Sequence, residues 1–157
     1  MKLPLQRIYI DTSVVGGYFD VEFSNDSKKF FERVRKREVI IIISSLLEDE
    51  LMDAPEKVRN LIKHFPSAQV EKVKLSKIAM NLAEKYIEAK VVGKTSVEDC
   101  RHIAVATICK ADILVSWNFK HIVNVERING YSSVNLKQGY NALDIRTPKE
   151  SLHHEED

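Results

Sequence analysis

The sequence predicts an α/β fold around a mainly parallel sheet, because β-rich apolar runs alternate with segments of helical spacing. Arg7-Ile8-Tyr9-Ile10 is a short β-rich run, and Val39 to Ile43 is an unbroken β-branched run that suits a strand buried on both faces. A length of 157 residues fits one domain. The clearest amphipathic helix carries its apolar side chains on one side, at Ile78, Leu82, Ala83, Tyr86 and Ile87.

The elements of the first half each have a start or stop signal. Ser24 to Ser27 offers N-caps for a helix after the first strand, and Ser44-Ser45 caps a helix after the second. Pro55 suits the first turn of the next helix, which we expect to end near Pro66. Val70 to Val73 is a weaker strand.

In the second half, Gly93 closes the amphipathic helix. Ser96-Val97-Glu98-Asp99 is typical of a capping box that opens another helix. Asp112 to Ser116 predicts a strand, and Ser133 to Leu136 predicts a further one. We expect residues from Thr147 to Asp157 to form a polar, frayed tail.

Composition leaves the binding partner open. Lys and Arg number 24 and Asp and Glu 23, so any nucleic-acid surface depends on local positive charge. We identify no signal peptide, and the longest apolar run is far shorter than the roughly 20 residues that span a bilayer. Cys100 and Cys109 are spaced for buried thiols and not for a disulfide. These observations predict a cytoplasmic protein without a membrane partner.

Three acidic residues come from distant parts of the chain. Asp11 follows the first strand, Glu50 lies on the helix after the second, and Asp99 opens a later helix. Parallel sheets place their functional crevice beyond the carboxyl ends of the strands, which directs attention to Asp11 and to Ser116-Trp117-Asn118. Hard divalent cations prefer such oxygen ligands.

Each acid also has an ordinary structural interpretation. Asp11 fits a turn after a strand, Asp99 fits a helix cap, and the run Glu48-Asp49-Glu50 fits a solvated helix face. Taken singly, these residues do not indicate a function.

Four motifs in order nevertheless resemble the PIN-domain family, including VapC-like toxins. They are Ile8 to Ser13, Ser44 to Leu51 with Glu50 before a leucine, Asp99 to Ala106, and Ile113 to Asn118. The likeness extends from about Ile8 to Leu136. Each motif is short, and four in register are fairly specific.

The resemblance implies a three-layer α/β/α fold over residues 1–146, followed by the tail at 147–157. It implies an endoribonuclease that uses Mg²⁺ or Mn²⁺, with Asp11, Glu50 and Asp99 as metal ligands and Asn118 as a fourth catalytic residue. Asn118 departs from the family's commoner aspartate, so an amide oxygen stands in place of a charge. The resemblance also implies an RNA substrate, a cognate antitoxin and a homodimer.

Other interpretations stay open. A weakened site at Asn118 would suit a non-catalytic PIN-like module that binds RNA or protein. A phosphohydrolase is a third alternative, although the sequence lacks the paired aspartates of one such class and any P-loop or dinucleotide fingerprint. Residues assigned weaker accessory roles, such as holding carboxylates or contacting RNA, are Thr12, Ser13, Ser116, His102, Lys120, His121 and the basic run Arg33, Arg35, Lys36 and Arg37. We expect Trp117 to pack in the core.

Overall fold

The computed structural model describes residues 4–152. In that range one sheet contains the strands β1 (Arg7–Ile10), β2 (Ile40–Ser44), β3 (Val70–Val73), β4 (Ile113–Val115) and β5 (Ile145–Arg146). Their order is β3-β2-β1-β4-β5, and every neighbouring pair is parallel. The chain leaves β1 toward β2 on one side and later returns to β4 on the other. The topological switch point therefore lies between β1 and β4.

Helices cover both faces of the sheet. They are α1 (Thr12–Gly17), α2 (Ser24–Arg35), α3 (Ser45–Leu51), α4 (Glu56–Asn60), α5 (Lys77–Glu88), α6 (Val97–Ile108), α7 (Val125–Lys137) and α8 (Pro148–Leu152). Tyr9 of β1 packs in a core cluster with α5, α6 and α7, whereas Ile8 and Ile10 pack in a second cluster with α1, α2 and α3. This alternation along one strand produces the three-layer α/β/α architecture, which confirms the predicted fold class.

Short polar side chains begin several of the helices. Ser44 Oγ accepts a hydrogen bond from the Leu47 amide at 3.3 Å, as the Ser44-Ser45 signal predicted. Asn124 Oδ1 accepts one from the Arg127 amide at 2.9 Å and starts α7. Each cap satisfies a backbone donor that the helix itself leaves unpaired.

The strand expected at Ser133 to Leu136 is wrong, because this segment lies in the last turns of α7. Tyr131 and Val134, which are three residues apart, are both buried there. Asn135 is fully buried as well and donates to Thr107 Oγ1 at 3.1 Å. A short run of mixed side chains cannot distinguish the two periods, and tertiary packing selects the helix.

The capping box at Ser96 is also wrong. A 3-10 turn over Lys94–Ser96 precedes α6, and Ser96 makes no side-chain cap hydrogen bond. Its Oγ is buried without a hydrogen-bond partner among the described residues. Asp99 in the first turn therefore does not belong to a reciprocal cap.

Residues after Thr147 are more ordered than the sequence indicated. Pro148–Leu152 form α8, which packs against α2, and Ser151 is 1% exposed. The Arg33 guanidinium of α2 contacts the Ser151 carbonyl at 3.4 Å. The expected fraying is thus wrong through residue 152, and residues 153–157 lie outside the described part of the chain. The domain boundary at residue 146 stays a prediction.

Two further sequence interpretations concern membranes and thiols. Among the described residues, no helix combines the length and apolar character required to cross a bilayer. Cys100 and Cys109 are free thiols, as predicted, although Cys109 is only half-buried.

Adjacent glycines in the last turn of α1 provide a matched pair for mutation. A Cβ on Gly17 would lie 2.7 Å from Trp117 Cδ1 and Nε1, whereas a Cβ on Gly16 meets nothing within 4 Å. We expect Gly17→Ala to lower the free energy of unfolding by about 1–3 kcal/mol through overpacking. Gly16→Ala should raise it by up to about 1 kcal/mol. Urea denaturation of both variants measures their free energies of unfolding. Equal changes in the two variants would contradict the close packing of the Trp117 indole on α1.

Candidate active site

Asp11 lies directly after the central strand, at the switch point of the sheet. Its side chain is 4% exposed. Ser13 Oγ donates to Asp11 Oδ1 and Ser116 Oγ donates to Oδ2, each at 2.6 Å. Burial raises the pKa of Asp11, and His102 and the two serines offset only part of that effect. The site therefore contains a desolvated carboxyl group held in place by hydroxyl groups.

The segment after β4 connects Asp11 to Asp99. Ser116 Oγ accepts from the backbone amide of Asn118 at 2.9 Å. The side-chain Nδ2 of Asn118 donates to Asp99 Oδ1 at 3.2 Å. Asn118 Oδ1 in turn accepts from the His121 backbone amide at 3.0 Å. The Asn118 side-chain oxygen is therefore engaged by the backbone. The side-chain amide nitrogen is the donor to Asp99.

Asp99 is half-buried in the first turn of α6. Burial raises its pKa, the His121 side chain lowers it, and the charge of Asp11 raises it again. The charge of Asp11 thus opposes ionisation of Asp99. A cation between or beside them would relieve this repulsion.

Glu50 reaches the same region from α3 and has two side-chain partners. Thr12 Oγ1 donates to Glu50 Oε2 at 2.7 Å, and His102 Nε2 lies 2.8 Å from Oε1. Burial would raise the pKa of Glu50, but the hydrogen bonds from His102 and Thr12 lower it overall. In contrast, Glu48 of the same acidic run pairs with Lys72 at 3.6 Å. Glu50 is therefore the acid of that run that joins this hydrogen-bonded network.

His102 is almost completely buried behind Glu50. It is 3% exposed, and its Nδ1 lies 2.7 Å from the Tyr9 hydroxyl, which donates to Ser44 Oγ at 2.9 Å. Burial would lower the pKa of His102, but the hydrogen bond to Glu50 and the surrounding carboxylates raise it overall. The sequence did not identify Tyr9 and Ser44 as part of this network, because their spacing fits an ordinary strand and cap.

The structure thus brings all four predicted residues, Asp11, Glu50, Asp99 and Asn118, into one region. Their oxygen-rich donor set has the chemistry that Mg²⁺ and Mn²⁺ prefer. The repulsion between the buried Asp11 and the half-buried Asp99 also fits a cation. In residues 4–152, however, no group of three or more His, Cys, Asp or Glu side chains is arranged so that it could already hold a metal ion. Binding would require Glu50 or its neighbours to reorient.

The accessory residues divide into two groups. Thr12, Ser13 and Ser116 contact the carboxylates, whereas Trp117 is 9% exposed and packs in the core as expected. The basic run spans the last turn of α2 and the residues before β2, so it lies at the opposite edge of the sheet. There Arg35 pairs with Glu32 at 3.6 Å and also lies over the Phe65 ring. These contacts favour the interpretation of a solvated helix end.

No protein-family model and no curated protein matches the sequence. Solved structures do match the fold. VapC20 from Mycobacterium tuberculosis, described as a sarcin-ricin loop cleaving toxin, is 14% identical with a TM-score of 0.51, over 72% of this chain and 91% of that chain. VapBC2 from Rickettsia felis, bound to promoter DNA, is 20% identical with a TM-score of 0.52, over 73% and 90%.

A third structure extends the likeness toward the C-terminus. FitAB bound to a DNA fragment is 11% identical, with a TM-score of 0.56, and the match covers 90% of this chain and 95% of that chain. Identities this low show a common fold and not a common activity. The chain has the fold of the PIN-domain toxin–antitoxin proteins, as its four motifs predicted.

Proposed function

We propose that this protein is a divalent-metal-dependent endoribonuclease that hydrolyses RNA phosphodiester bonds as the toxin of a toxin–antitoxin pair. The observation that carries the proposal is the buried Asp11 carboxyl group at the switch point. It is joined to Asp99 through Ser116 and Asn118, and the neighbouring Thr12 binds Glu50. Burying an ionised carboxyl group is unfavourable unless hydrogen bonds or a cation compensate. Carboxyl groups with such a shifted pKa are concentrated at functional sites.

Asp11, Asp99 and Glu50 would hold Mg²⁺ or Mn²⁺, which activates water and stabilises charge on the phosphate when bound. Ser13 and Ser116 fix the Asp11 carboxyl group, and Asn118 fixes Asp99. Thr12 and His102 hold the Glu50 carboxylate. Such supporting contacts orient the groups that bind a metal.

The biological role is supported by the structures of similar fold. VapC20 is described as a toxin that cleaves RNA, and VapBC2 and FitAB are complexes bound to DNA. By analogy we propose an RNA substrate, a cognate antitoxin, a homodimer and action in the cytoplasm.

A non-catalytic PIN-like module that binds RNA or protein is the second candidate. It is favoured by the engagement of Glu50 with His102 and Thr12, and by the absence of a ready-formed three-residue metal site in residues 4–152. In that case the carboxylates would stabilise the local fold through these hydrogen bonds.

Cleavage of an end-labelled structured RNA distinguishes the two candidates. We expect wild-type protein to cut with Mn²⁺ or Mg²⁺, and we expect both EDTA and Asp99→Asn to abolish cutting. Glu98→Gln is the matched control, because Glu98 is the adjacent acid, is exposed and pairs with Arg101 at 3.3 Å. It should cut like wild type. If the wild type and Asp99→Asn gave the same products, or if neither cut after removal of copurified protein, the nuclease proposal would be wrong.

A further inference from the structure

Three aromatic side chains form a cluster beside the acidic residues. The rings of Phe23 and Trp117 are stacked with centroids 4.5 Å apart and an interplanar angle of 20°. The Phe119 ring lies 6.2 Å from Trp117 and 6.3 Å from Phe23. Phe119 is 51% exposed and Phe23 is half-buried. We call Phe23, Trp117 and Phe119 the aromatic platform.

The centre of the platform is held rigidly. Trp117 Nε1 donates to Ser27 Oγ at 2.9 Å, and its backbone amide donates to Ser13 Oγ at the same distance. The indole also packs on Gly17, where no Cβ would fit. The Trp117 indole is thus fixed before any ligand binds, and it provides a preformed base for the more exposed Phe119 ring.

The same short segment supplies both the acidic network and the platform. Ser116 and Asn118 contact Asp11 and Asp99, whereas the alternate residues Trp117 and Phe119 turn toward Phe23. Trp117 is also tied to the acidic network, because its backbone amide donates to the same Ser13 hydroxyl that donates to Asp11. A phosphate at the acids would therefore have an exposed aromatic surface next to it.

Charge near the platform indicates how a nucleotide would be oriented. Lys120 is exposed directly after Phe119, whereas Asp20 and Glu22 are exposed before Phe23. Lys120 attracts a phosphate group, and Asp20 and Glu22 repel one. A base has no net charge and stacks on any aromatic ring, so it suits the rings between these charges.

We propose that the aromatic platform binds an unpaired base of the RNA substrate next to the scissile phosphate, with Phe119 as the exposed stacking residue. The inference rests on the proposed nuclease function and assigns a substrate subsite to it. Because stacking tolerates every base, this subsite would favour single-stranded positions without reading one sequence.

Binding can be measured without cleavage in the full chain carrying Asp99→Asn. The probes are a labelled short oligoadenylate and an abasic ribose-phosphate strand of equal length, each with Mg²⁺. We expect Phe119→Leu to weaken binding of the oligoadenylate at least about fivefold, the lower end of the contribution of one stacked base. Binding of the abasic strand should not change, and Phe119→Tyr should restore the affinity for oligoadenylate.

Two further measurements sharpen the test. Val125→Ala is the control for loss of exposed apolar surface, since Val125 is 74% exposed on α7, and it should bind like the parent. Trp117 is the only tryptophan in the chain, so a base stacked beside it should change its fluorescence. The abasic strand should produce a smaller change.

The decisive comparison is between the Asp99→Asn parent and the same protein carrying Phe119→Leu as well. Equal oligoadenylate affinities of these two proteins would show that the platform does not bind a base. The nuclease proposal would remain intact if the wild type cuts RNA. Release of a copurifying protein by Phe119→Leu, with RNA affinity unchanged, would assign the rings to a protein contact and also overturn the platform. Base-dependent binding that Phe119→Leu weakens, without any wild-type cleavage, would support the platform and refute the nuclease. Binding of neither strand would overturn the platform, whatever the wild type cuts.

Discussion

Asp11→Asn should reduce metal-dependent RNA cleavage by at least about 100-fold, because it removes a charged oxygen from the centre of the site. The same substitution should raise the free energy of unfolding in EDTA by about 1 kcal/mol. Folding transfers the Asp11 carboxyl group to a site where burial raises its pKa, so the ionised form destabilises the folded state at neutral pH. Asparagine has nearly the same shape and no charge.

Urea denaturation in EDTA and with Mn²⁺ checks this prediction beside the cleavage assay. Mn²⁺ should stabilise the wild type by a concentration-dependent amount and Asp11→Asn much less. Asp49→Asn removes an exposed carboxyl group from α3 and should change neither property. A variant at Asp11 that is less stable and still active would show that its carboxyl group has a structural role.

His102→Ala should weaken Mn²⁺ binding about 10- to 100-fold, the usual consequence of losing a residue that orients a ligand. Glu50 would lose its contact with His102 and retain the one with Thr12. The buried Tyr9 hydroxyl would lose one partner and retain Ser44. We therefore also expect a loss of about 1–3 kcal/mol in the free energy of unfolding.

Calorimetric titration with Mn²⁺ distinguishes a role of His102 in orienting Glu50 from a role in packing alone. Tyr9→Phe removes only the hydroxyl behind His102 and should weaken Mn²⁺ binding less than His102→Ala. His64→Ala changes an exposed histidine and should leave Mn²⁺ affinity unchanged. If His102→Ala lowers stability but binds Mn²⁺ like the parent, His102 is a packing residue only.

The sequence was most informative where a local signal had one physical solution. The β-branched run before Ser44 required a buried strand, and Ser44 capped the helix that carries Glu50. Because parallel strands end at the same edge of a sheet, residues that follow β1 and β4 were expected to meet. Asp11 and Asn118 do lie near each other, and both join the network that includes Asp99.

Local sequence patterns gave wrong predictions where the same residues are compatible with two different local structures. Ser133 to Leu136 suited a strand, but packing on α6 selected a helix. Ser96 had the spacing of a cap, but its hydroxyl is buried without a hydrogen-bond partner in the part of the chain that the structure describes. The short strand β5 escaped notice because its two residues carry no periodicity.

By itself, the sequence determined the α/β class and the order of the main elements, and its motifs indicated Asp11, Glu50, Asp99 and Asn118 as candidate site residues. Only the tertiary structure decided that His102 and Thr12 hold Glu50, that Asn118 donates to Asp99, and that Phe119 extends an aromatic surface beside them. The physical reason is that strand and helix signals depend on neighbours along the chain. Hydrogen bonds and ring contacts instead depend on distances between residues far apart in sequence, which are set when the layers pack.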